Sequence, residues 1–352
     1  MGSISKIDRP KPWRARYRGP DGRQHSKSFS RKVDAERWLR AEERKADQGE
    51  WIDPNAGAIT YGEWATHWIA SLHGITPKTR AGYESLLRSR VLPAFANTEL
   101  RNITTPSVRQ WVSGMVEDIS PARIRQALQV LHASLDMAVD DGLIPRNPTN
   151  RVKTPPVRKR RQLFLTAEQL DALAATAENL RAGSGGLIRL LGFGGLRWGE
   201  AVALRWENVD PTRRRVDVEE SATEVSGHLT VGSTKTHETR TVIVPGFVMD
   251  SLGEPGKGLV FRAPRGGSLR HSNFTRGVWA PAVANTEGIP EDLLIHDLRD
   301  TAASLAISAG ASIKAVQRML GHASAAMTLD TYGSLFTEDL EDLADRMEER
   351  YG

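Results

Sequence analysis

The stretch from Leu294 to Tyr332 constrains the fold more than any other part of this 352-residue chain. Its apolar residues, among them Leu305, Val316 and Leu320, recur at helical spacing. Gly321 follows that run at a position typical of a helix end. The stretch therefore predicts a helical run that stops near Gly321, followed by a second short helix that carries Tyr332.

Four side chains of the same stretch carry chemistry. His296 and Arg299 stand three residues apart, so a helix would place them on one face. His322 follows the predicted turn, and Tyr332 comes ten residues later. These groups suit neither a metal site nor an acyl-transfer triad. A guanidinium of fixed charge, two imidazoles and a phenol do suit a phosphate group that is attacked by an oxygen nucleophile.

This spacing resembles the C-terminal signature of the tyrosine recombinases, and in particular of the phage-type integrases. Their pattern is His-x-x-Arg, then Leu-Gly-His, then a nucleophilic Tyr after a comparable interval. Here it is read as His296-Asp297-Leu298-Arg299, then Leu320-Gly321-His322, then Tyr332. Asp300 departs from the pattern, because many relatives have His directly after the arginine of the first motif.

Two upstream segments extend the resemblance. Arg197, in the run GFGGLRWGEAVALRWENVD, matches the family's first arginine, and Glu200 matches a supporting carboxylate. Lys235 lies between alternating runs typical of strands and matches the family's hairpin lysine. Alone, each would be an ordinary surface charge. Together the motifs imply six catalytic residues: Arg197, Lys235, His296, Arg299, His322 and Tyr332.

The resemblance implies cleavage and rejoining of a DNA phosphodiester without a metal or another cofactor. Tyr332 would attack the phosphorus, while Arg197 and Arg299 would hold the non-bridging oxygens. Lys235 would protonate the leaving 5′ oxygen. A 3′-phosphotyrosyl intermediate would conserve the bond energy.

The resemblance also gives each histidine a role and implies an assembly. His322 would donate to the same phosphate oxygens, and His296 would exchange a proton with Tyr332. A homotetramer on DNA would complete two strand exchanges through a Holliday junction. Core-type and arm-type attachment sites, a host DNA-bending protein and a recombination directionality factor are the expected partners.

Charge is distributed unevenly along the chain. Residues 1–32 hold ten Lys and Arg against two acids, residues 146–161 hold seven and no acid, and residues 336–352 have a net charge of −5. The whole chain carries only +5. Two basic segments indicate a nucleic-acid partner, and ordinary solvated surfaces are the alternative.

The first basic segment predicts a β-hairpin. Trp13, Ala15 and Tyr17 alternate with three arginines, and a turn signal at residues 19–22 precedes a second extended run. With the helix predicted after it, this segment resembles the arm-site-binding module of many integrases. An exposed charged hairpin is the alternative. The predicted DNA contacts on the basic face are Arg14, Arg16 and Arg18.

Residues 59–150 show helical patterns only, and we predict that their aromatic residues form a core rather than stack on bases. By resemblance this is the core-binding domain. Prolines forbid a continuous helix in the basic linker at residues 151–162, which would lie along the phosphates. Further predicted DNA contacts are Lys78, Arg80, Arg123, Arg125, Arg158, Lys159, Arg160 and Arg161.

The predicted architecture is α+β and multidomain. A small β-sheet-plus-helix module at residues 1–55 and an all-α domain at 59–150 precede the linker. A mainly α catalytic domain with a small antiparallel β-sheet occupies residues 163–352.

Composition excludes several classes of protein. Cysteine is absent, which excludes a disulfide framework and permits a reducing compartment. The N-terminus lacks a signal-peptide pattern, and no apolar run approaches the ~20 residues of a membrane span. The scattered histidines form no metal-binding motif. We therefore expect a cytoplasmic protein of a bacterial host, with no membrane partner and no metal.

Three alternatives come from neighbouring classes. A Xer-like chromosome-dimer resolvase typically lacks a module like the first 55 residues. A type IB topoisomerase shares the chemistry but would not need an arm-binding module. A non-catalytic DNA-binding relative would have lost one of the six residues, and none is lost.

Overall fold

The computed structural model describes residues 2–49, 51, 53, 55–157, 160–225, 227–233, 239–335 and 340–352. The chain divides into two compact units, residues 1–158 and 159–352. Helices dominate both units, and the strands form small antiparallel sheets, so the predicted α+β multidomain class is confirmed. None of the described helices is long and apolar enough to span a membrane.

A three-stranded antiparallel sheet and a helix begin the first unit. They are β1 (Ser3–Lys6), β2 (Trp13–Arg18), β3 (Gln24–Phe29) and α1 (Lys32–Asp47). The predicted hairpin is β2 with β3, whereas β1 is an additional edge strand. Ala15 and Tyr17 are buried and cluster with Leu39 of α1. Since side chains alternate along a strand, the arginines of β2 lie on the opposite face of the sheet.

The rest of the first unit is helical. Its α-helices are α2 (Tyr61–Ser71), α3 (Pro77–Leu86), α4 (Leu92–Phe95), α5 (Thr105–Gly114) and α6 (Pro121–Asp140). A hydroxyl side chain at the N-cap of α2, α3, α5 and α6 accepts a backbone N–H of the first turn, which explains where these helices begin.

Aromatic side chains build the core of this helical part, as predicted. Trp64 and Trp68 are buried. The Tyr61 hydroxyl lies 2.9 Å from the Ser134 hydroxyl, and Trp64 Nε1 donates to the Ser134 carbonyl oxygen at 2.8 Å. Both rings thus pair their polar atoms inside the core, where they are unavailable for stacking on nucleic acid.

The second unit is mainly helical. Its helices are α7 (Ala167–Leu180), α8 (Ser184–Gly194), α9 (Trp198–Ala203), α10 (Gly246–Asp250), α11 (His271–Phe274), α12 (Ala280–Asn285), α13 (Asp297–Ser308), α14 (Ile313–Leu320), α15 (Ala325–Tyr332) and α16 (Leu340–Tyr351). Helix α8 is buried along most of its length, and α7 and α13 pack against it. It is the central helix on which the candidate site is built.

Two small sheets complete the second unit. The strands are β4 (Val209–Asp210), β5 (Arg215–Val218), β6 (Glu220–Val225), β7 (His228–Ser233) and β8 (Arg240–Ile243). β4, β5 and β8 form one antiparallel sheet, and β6 pairs with β7 in a hairpin. Val216 of β5 and Val242 of β8 are buried, which anchors β8 to the core next to α14.

Candidate active site

Arg299 on α13 lies in the interior of the second unit and is only 4% exposed. Its Nη1 donates to the Gly195 carbonyl oxygen at 2.5 Å, and its Nη2 donates to the Leu320 carbonyl oxygen at 2.6 Å. These two carbonyls belong to the C-terminal ends of α8 and α14, where backbone acceptors lack helical partners. Burial, reinforced by the charges of Arg197 and Arg240, lowers the pKa of Arg299 to about 10, so the guanidinium stays charged at neutral pH.

Glycine is required at both helix ends. Gly195 follows α8 with a φ of +67°, and Gly321 follows α14 with a φ of +65°. A Cβ atom at Gly195 would lie 2.8 Å from Leu320 Cδ2, and one at Gly321 would lie 2.7 Å from Arg240 Cδ. For a residue with a Cβ atom, the left-handed conformation costs about 1–2 kcal/mol even before these contacts.

Glu200 orients two further guanidiniums. Arg197, the N-cap of α9, donates to it from its backbone N–H at 2.8 Å and from Nη1 at 2.9 Å. Arg240 binds the same carboxylate in a bidentate way, from Nη1 at 2.9 Å and Nη2 at 2.6 Å. Burial would raise the pKa of Glu200, but the bonds from Arg240 and Arg197 outweigh it and hold the pKa below its usual value. The ionised carboxylate balances only one of the two arginines.

His322 is held by its neighbours on α14 and α15. Its Nδ1 lies 3.0 Å from the hydroxyl of the buried Thr328. Its backbone carbonyl accepts a hydrogen bond from Gln317 Nε2 at 3.0 Å. When the Thr328 hydroxyl donates to Nδ1, the ring hydrogen sits on Nε2, which makes the imidazole a donor.

Partial burial and the surrounding charges keep His322 neutral at pH 7. Partial burial, followed by the charges of Arg299, Arg197 and Arg240, lowers the pKa of His322 to about 4. The guanidiniums of Arg299, Arg197 and Arg240 thus all act on the His322 imidazole. An anion that entered this cluster would meet permanent cations and one neutral donor.

Tyr332, the last residue of α15, is 2% exposed, and its hydroxyl donates to Asp300 Oδ1 at 2.5 Å. Its ring lies parallel to that of His322, with centroids 6.4 Å apart. Burial and then the bond to Asp300 raise the pKa of Tyr332 above its ordinary value, so the phenol is protonated at neutral pH.

The structure brings most of the predicted catalytic residues together. Arg197, Arg299, His322, Tyr332 and the supporting Glu200 form one cluster. His296 is exposed at the N-cap of α13, and the Tyr332 hydroxyl bonds to Asp300 where an exchange with His296 was expected. Lys235 lies outside the described residues, between β7 and β8.

Arg240 is a site residue that motif spacing does not predict. Its side chain is 12% exposed, binds Glu200 and donates from Nε to the Met319 carbonyl oxygen at 3.2 Å. A carboxylate that is buried, as Glu200 is, needs nearby cations. Glu200 is therefore the one feature of the sequence that indicates a further arginine in the site. It does not indicate which of the many arginines supplies the second cation, after Arg197.

The predicted DNA contacts fall into two groups. Arg158 and Lys159 lie outside the described residues, and several others expose their side chains; these are Arg18, Lys78, Arg123, Arg125 and Arg161. Arg14 and Arg16 are partly buried, and Arg14 also binds the Ser26 hydroxyl. For all of these, contact with DNA stays a prediction.

Arg80 and Arg160 are predicted DNA contacts that bind carbonyl or carboxylate oxygens within the chain. Arg80 donates from Nη1 to the Ile69 carbonyl oxygen and from Nη2 to the Leu72 carbonyl oxygen, each at 2.6 Å. Arg160 binds the buried Asp297 carboxylate at 2.7 and 2.9 Å from Nη1. Arg80 thus binds the C-terminal end of α2 and Arg160 binds α13, and contact of either side chain with DNA stays a prediction.

Replacing Arg240 with Gln should raise the pKa of His322 from about 4 toward its ordinary value, because one cation that disfavours the imidazolium is removed. NMR titration of ¹³C-labelled histidine would measure it. In the unmodified protein the unfolded chain binds more protons between pH ~4 and ~6.5, so this group makes stability rise with pH across that window. In the variant, the pH range over which His322 makes stability rise should be narrower.

The control is Arg213→Gln, which removes the same charge from a side chain that is 78% exposed and does not act on His322. An unchanged His322 titration in the Arg240 variant would show that Arg240 does not act on the imidazole.

Comparison with known proteins identifies the family of the chain. The phage integrase family model matches residues 163–338, the model of the phage integrase N-terminal domain matches residues 2–48, and the phage integrase N-terminal SAM-like domain matches residues 60–116. The integrase of Mycobacterium phage D29 is 33% identical over 358 aligned positions, covering 96% of this chain and 91% of that protein.

Solved structures share the fold. The Tn1549 transposon integrase in complex with a circular intermediate DNA superimposes with a TM-score of 0.68 at 18% identity, covering 83% of this chain and 99% of that one. The lambda integrase tetramer bound to a Holliday junction gives a TM-score of 0.62 at 19% identity, covering 90% and 91%. The D29 phage integrase is 33% identical to this chain and is aligned over 91% of its own length. The chain therefore belongs to the phage integrase family of tyrosine recombinases and is a site-specific DNA recombinase.

Proposed function

We propose that this recombinase cleaves and rejoins double-stranded DNA at attachment sites through a covalent bond between Tyr332 and a 3′ phosphate. The observation that carries the proposal is the environment of Arg299. Within the described part of the chain, its terminal nitrogens bind two carbonyl oxygens and no carboxylate. A buried cation that no carboxylate binds directly favours binding of an anion, and Tyr332 lies beside it.

A phosphodiester fits this cluster. A guanidinium has five N–H donors, and the bonds to Gly195 and Leu320 use only one hydrogen on each terminal nitrogen of Arg299. Arg197 is 37% exposed and is steered by Glu200, so it can hold the second non-bridging oxygen. Each such donor lowers the barrier by about 3 kcal/mol.

The remaining predicted residues act on protons and hydrogen bonds. His322, neutral at pH 7, donates to the phosphate without adding charge. Lys235 is the proposed general acid for the leaving 5′ oxygen, a role that rests on its match to the family's hairpin lysine. His296 stays a predicted catalytic residue, exposed at the N-terminus of α13. No metal or other cofactor takes part in this scheme.

The proposed assembly is a homotetramer that exchanges two pairs of strands through a Holliday junction. The lambda integrase tetramer bound to a Holliday junction, which has the same fold, supports this assembly. The Tn1549 integrase bound to a circular intermediate DNA supports a mobile-element substrate. Energy stays in the phosphotyrosyl bond between cleavage and rejoining, so no ATP is required.

The first module is proposed to bind arm-type sites, and residues 59–150 with the linker at 151–162 to bind the core site. The match of residues 2–48 to a phage integrase N-terminal domain favours this over a Xer-like resolvase or a type IB topoisomerase. The proposed protein partners are a host DNA-bending protein and a recombination directionality factor. The proposed location is the cytoplasm of a bacterial host.

Tyr332→Phe should abolish covalent attachment to DNA and leave DNA binding nearly intact. The hydroxyl forms the bond, whereas the ring keeps its place beside His322. The measurement is recovery of an SDS-resistant adduct on a suicide substrate, with Tyr351→Phe, in an exposed ring, as the matched control. An adduct formed by the Tyr332 variant would identify another nucleophile.

Lys235→Ala should slow cleavage of an ordinary phosphodiester by about 10²-fold or more, the usual contribution of a general acid. A 5′-bridging phosphorothiolate should restore most of the rate, because its leaving group needs no proton. Single-turnover rates on the two substrates make the test. Equal defects on both would assign Lys235 to binding or structure.

Replacing Arg14, Arg16 and Arg18 together with Gln should abolish arm-site binding and integration but preserve cleavage at the core site. The slope of log affinity against log salt concentration for arm binding should become shallower by about 0.9 for each phosphate that the variant no longer neutralises. Footprinting and recombination assays on one attachment DNA would measure both effects, and a protein without residues 1–55 should behave alike.

The charge-matched control replaces Arg37, Arg40 and Arg44, which are exposed on α1, with Gln. If both triple variants, or neither, lose arm binding, the face formed by the β2 arginines is not the DNA-binding surface.

A further inference from the structure

Asp300 touches the atom that must react. The Tyr332 hydroxyl donates its hydrogen to Asp300 Oδ1, with the two oxygens 2.5 Å apart. Asp300 lies in the first turn of α13, where the helix dipole stabilises a carboxylate, one residue after Arg299. It is also the position at which the chain departs from the family pattern.

The phenol cannot lose its proton in advance. Even an ordinary phenol is only ~0.1% ionised at neutral pH. Burial and the bond to Asp300 raise the pKa of Tyr332 further, against the opposing charge of Arg299. The proton therefore has to leave while the new bond to phosphorus forms, and it needs an acceptor already in contact.

The other titratable groups around Tyr332 are poorly placed to accept. The His322 ring stacks parallel to the phenol ring with centroids 6.4 Å apart, and its Nδ1 faces the Thr328 hydroxyl. His296 is exposed at the N-cap of α13. Arg299 has no acceptor capacity. Within the described residues, Asp300 is the acceptor in hydrogen-bond contact.

We propose that Asp300 is a further catalytic residue, the general base that takes the Tyr332 proton during cleavage and returns it during rejoining. The inference rests on the proposed role of Tyr332. As the phenol O–H bond breaks, its electron pair forms the bond to phosphorus and its proton moves to Asp300 Oδ1. The P–O5′ bond breaks in the same step, and the leaving 5′ oxygen takes a proton from the general acid. Rejoining runs the same transfers backwards.

The experiment measures single-turnover adduct formation by the full chain on a suicide substrate. Asp300→Asn should form the adduct about 10²-fold more slowly, since general-base catalysis contributes 10²–10⁴-fold. Asp300→Glu keeps a carboxylate and should recover part of the rate. The matched control is Asp330→Asn, an exposed carboxylate on α15 two residues from Tyr332, which should keep the wild-type rate.

A second measurement separates base catalysis from a structural role. With 3,5-difluorotyrosine incorporated at position 332, the phenol is more acidic and needs less help, so the defect of Asp300→Asn should shrink by at least about 10-fold. An equal defect with both nucleophiles would assign Asp300 to structure. Faster adduct formation by Asp300→Asn would show that the hydrogen bond between Tyr332 and Asp300 inhibits cleavage. Either result overturns the proposal.

The two proposals fail in different ways. An adduct that persists in Tyr332→Phe would overturn the nucleophile assignment and this inference with it. An adduct that depends on Tyr332 but forms at the wild-type rate in Asp300→Asn would overturn this inference alone. DNA binding and thermal unfolding, measured for each variant, confirm that the compared proteins are folded.

Discussion

The catalytic unit is organised around one buried cation, Arg299, held between the ends of two helices. Removing a guanidinium from water costs several kcal/mol, and here no carboxylate among the described residues binds it. The C-terminal ends of α8 and α14 offset part of that cost, because their carbonyls need donors and carry partial negative charge. Carbonyl dipoles orient the cation without neutralising it. Attraction for an anionic substrate is thus built into the helix packing.

That arrangement explains the chemistry of its neighbours. Glu200 neutralises one charge of the Arg197–Arg240 pair and fixes both side chains, so the cluster remains positive yet rigid. Partial burial, together with the excess positive charge, keeps His322 neutral at pH 7. An imidazolium at His322 would strengthen attraction to a phosphate, but it would also bring one more charge into the protein interior. A neutral donor gives orientation without that cost.

Local signals were the part of the structure that the sequence could predict. Thr166 and Gln169 form a capping box at the start of α7, and Ser120 caps α6 directly before Pro121. The alternation in β2 correctly placed Ala15 and Tyr17 on one face, and in the structure that face packs against α1. Each of these depends on residues within a few positions of one another.

Contacts between distant residues could not be predicted in the same way. Arg299 and Gly195 are 104 positions apart, and Arg240 and Glu200 are 40 apart. Charge alone also could not predict the intramolecular partners of Arg80 and Arg160, because a basic residue in a basic segment carries no sign of whether a carbonyl or a carboxylate binds it. The contact of Asp300 with Tyr332 could not be predicted either, although the sequence showed that Asp300 departs from the family pattern.

In the proposed reaction, Asp300 changes from a carboxylate to a carboxylic acid when it takes the Tyr332 proton. A carboxylate that has accepted the phenol proton is no longer a base, so after cleavage it cannot activate a water molecule against the phosphotyrosyl bond. The proton it holds is available for one event, return to the Tyr332 oxygen as a 5′ hydroxyl attacks. A recombinase must preserve its covalent intermediate until the partner strand arrives. In the proposed reaction, storing the proton on the group that touches the nucleophile protects the intermediate from hydrolysis and keeps rejoining possible.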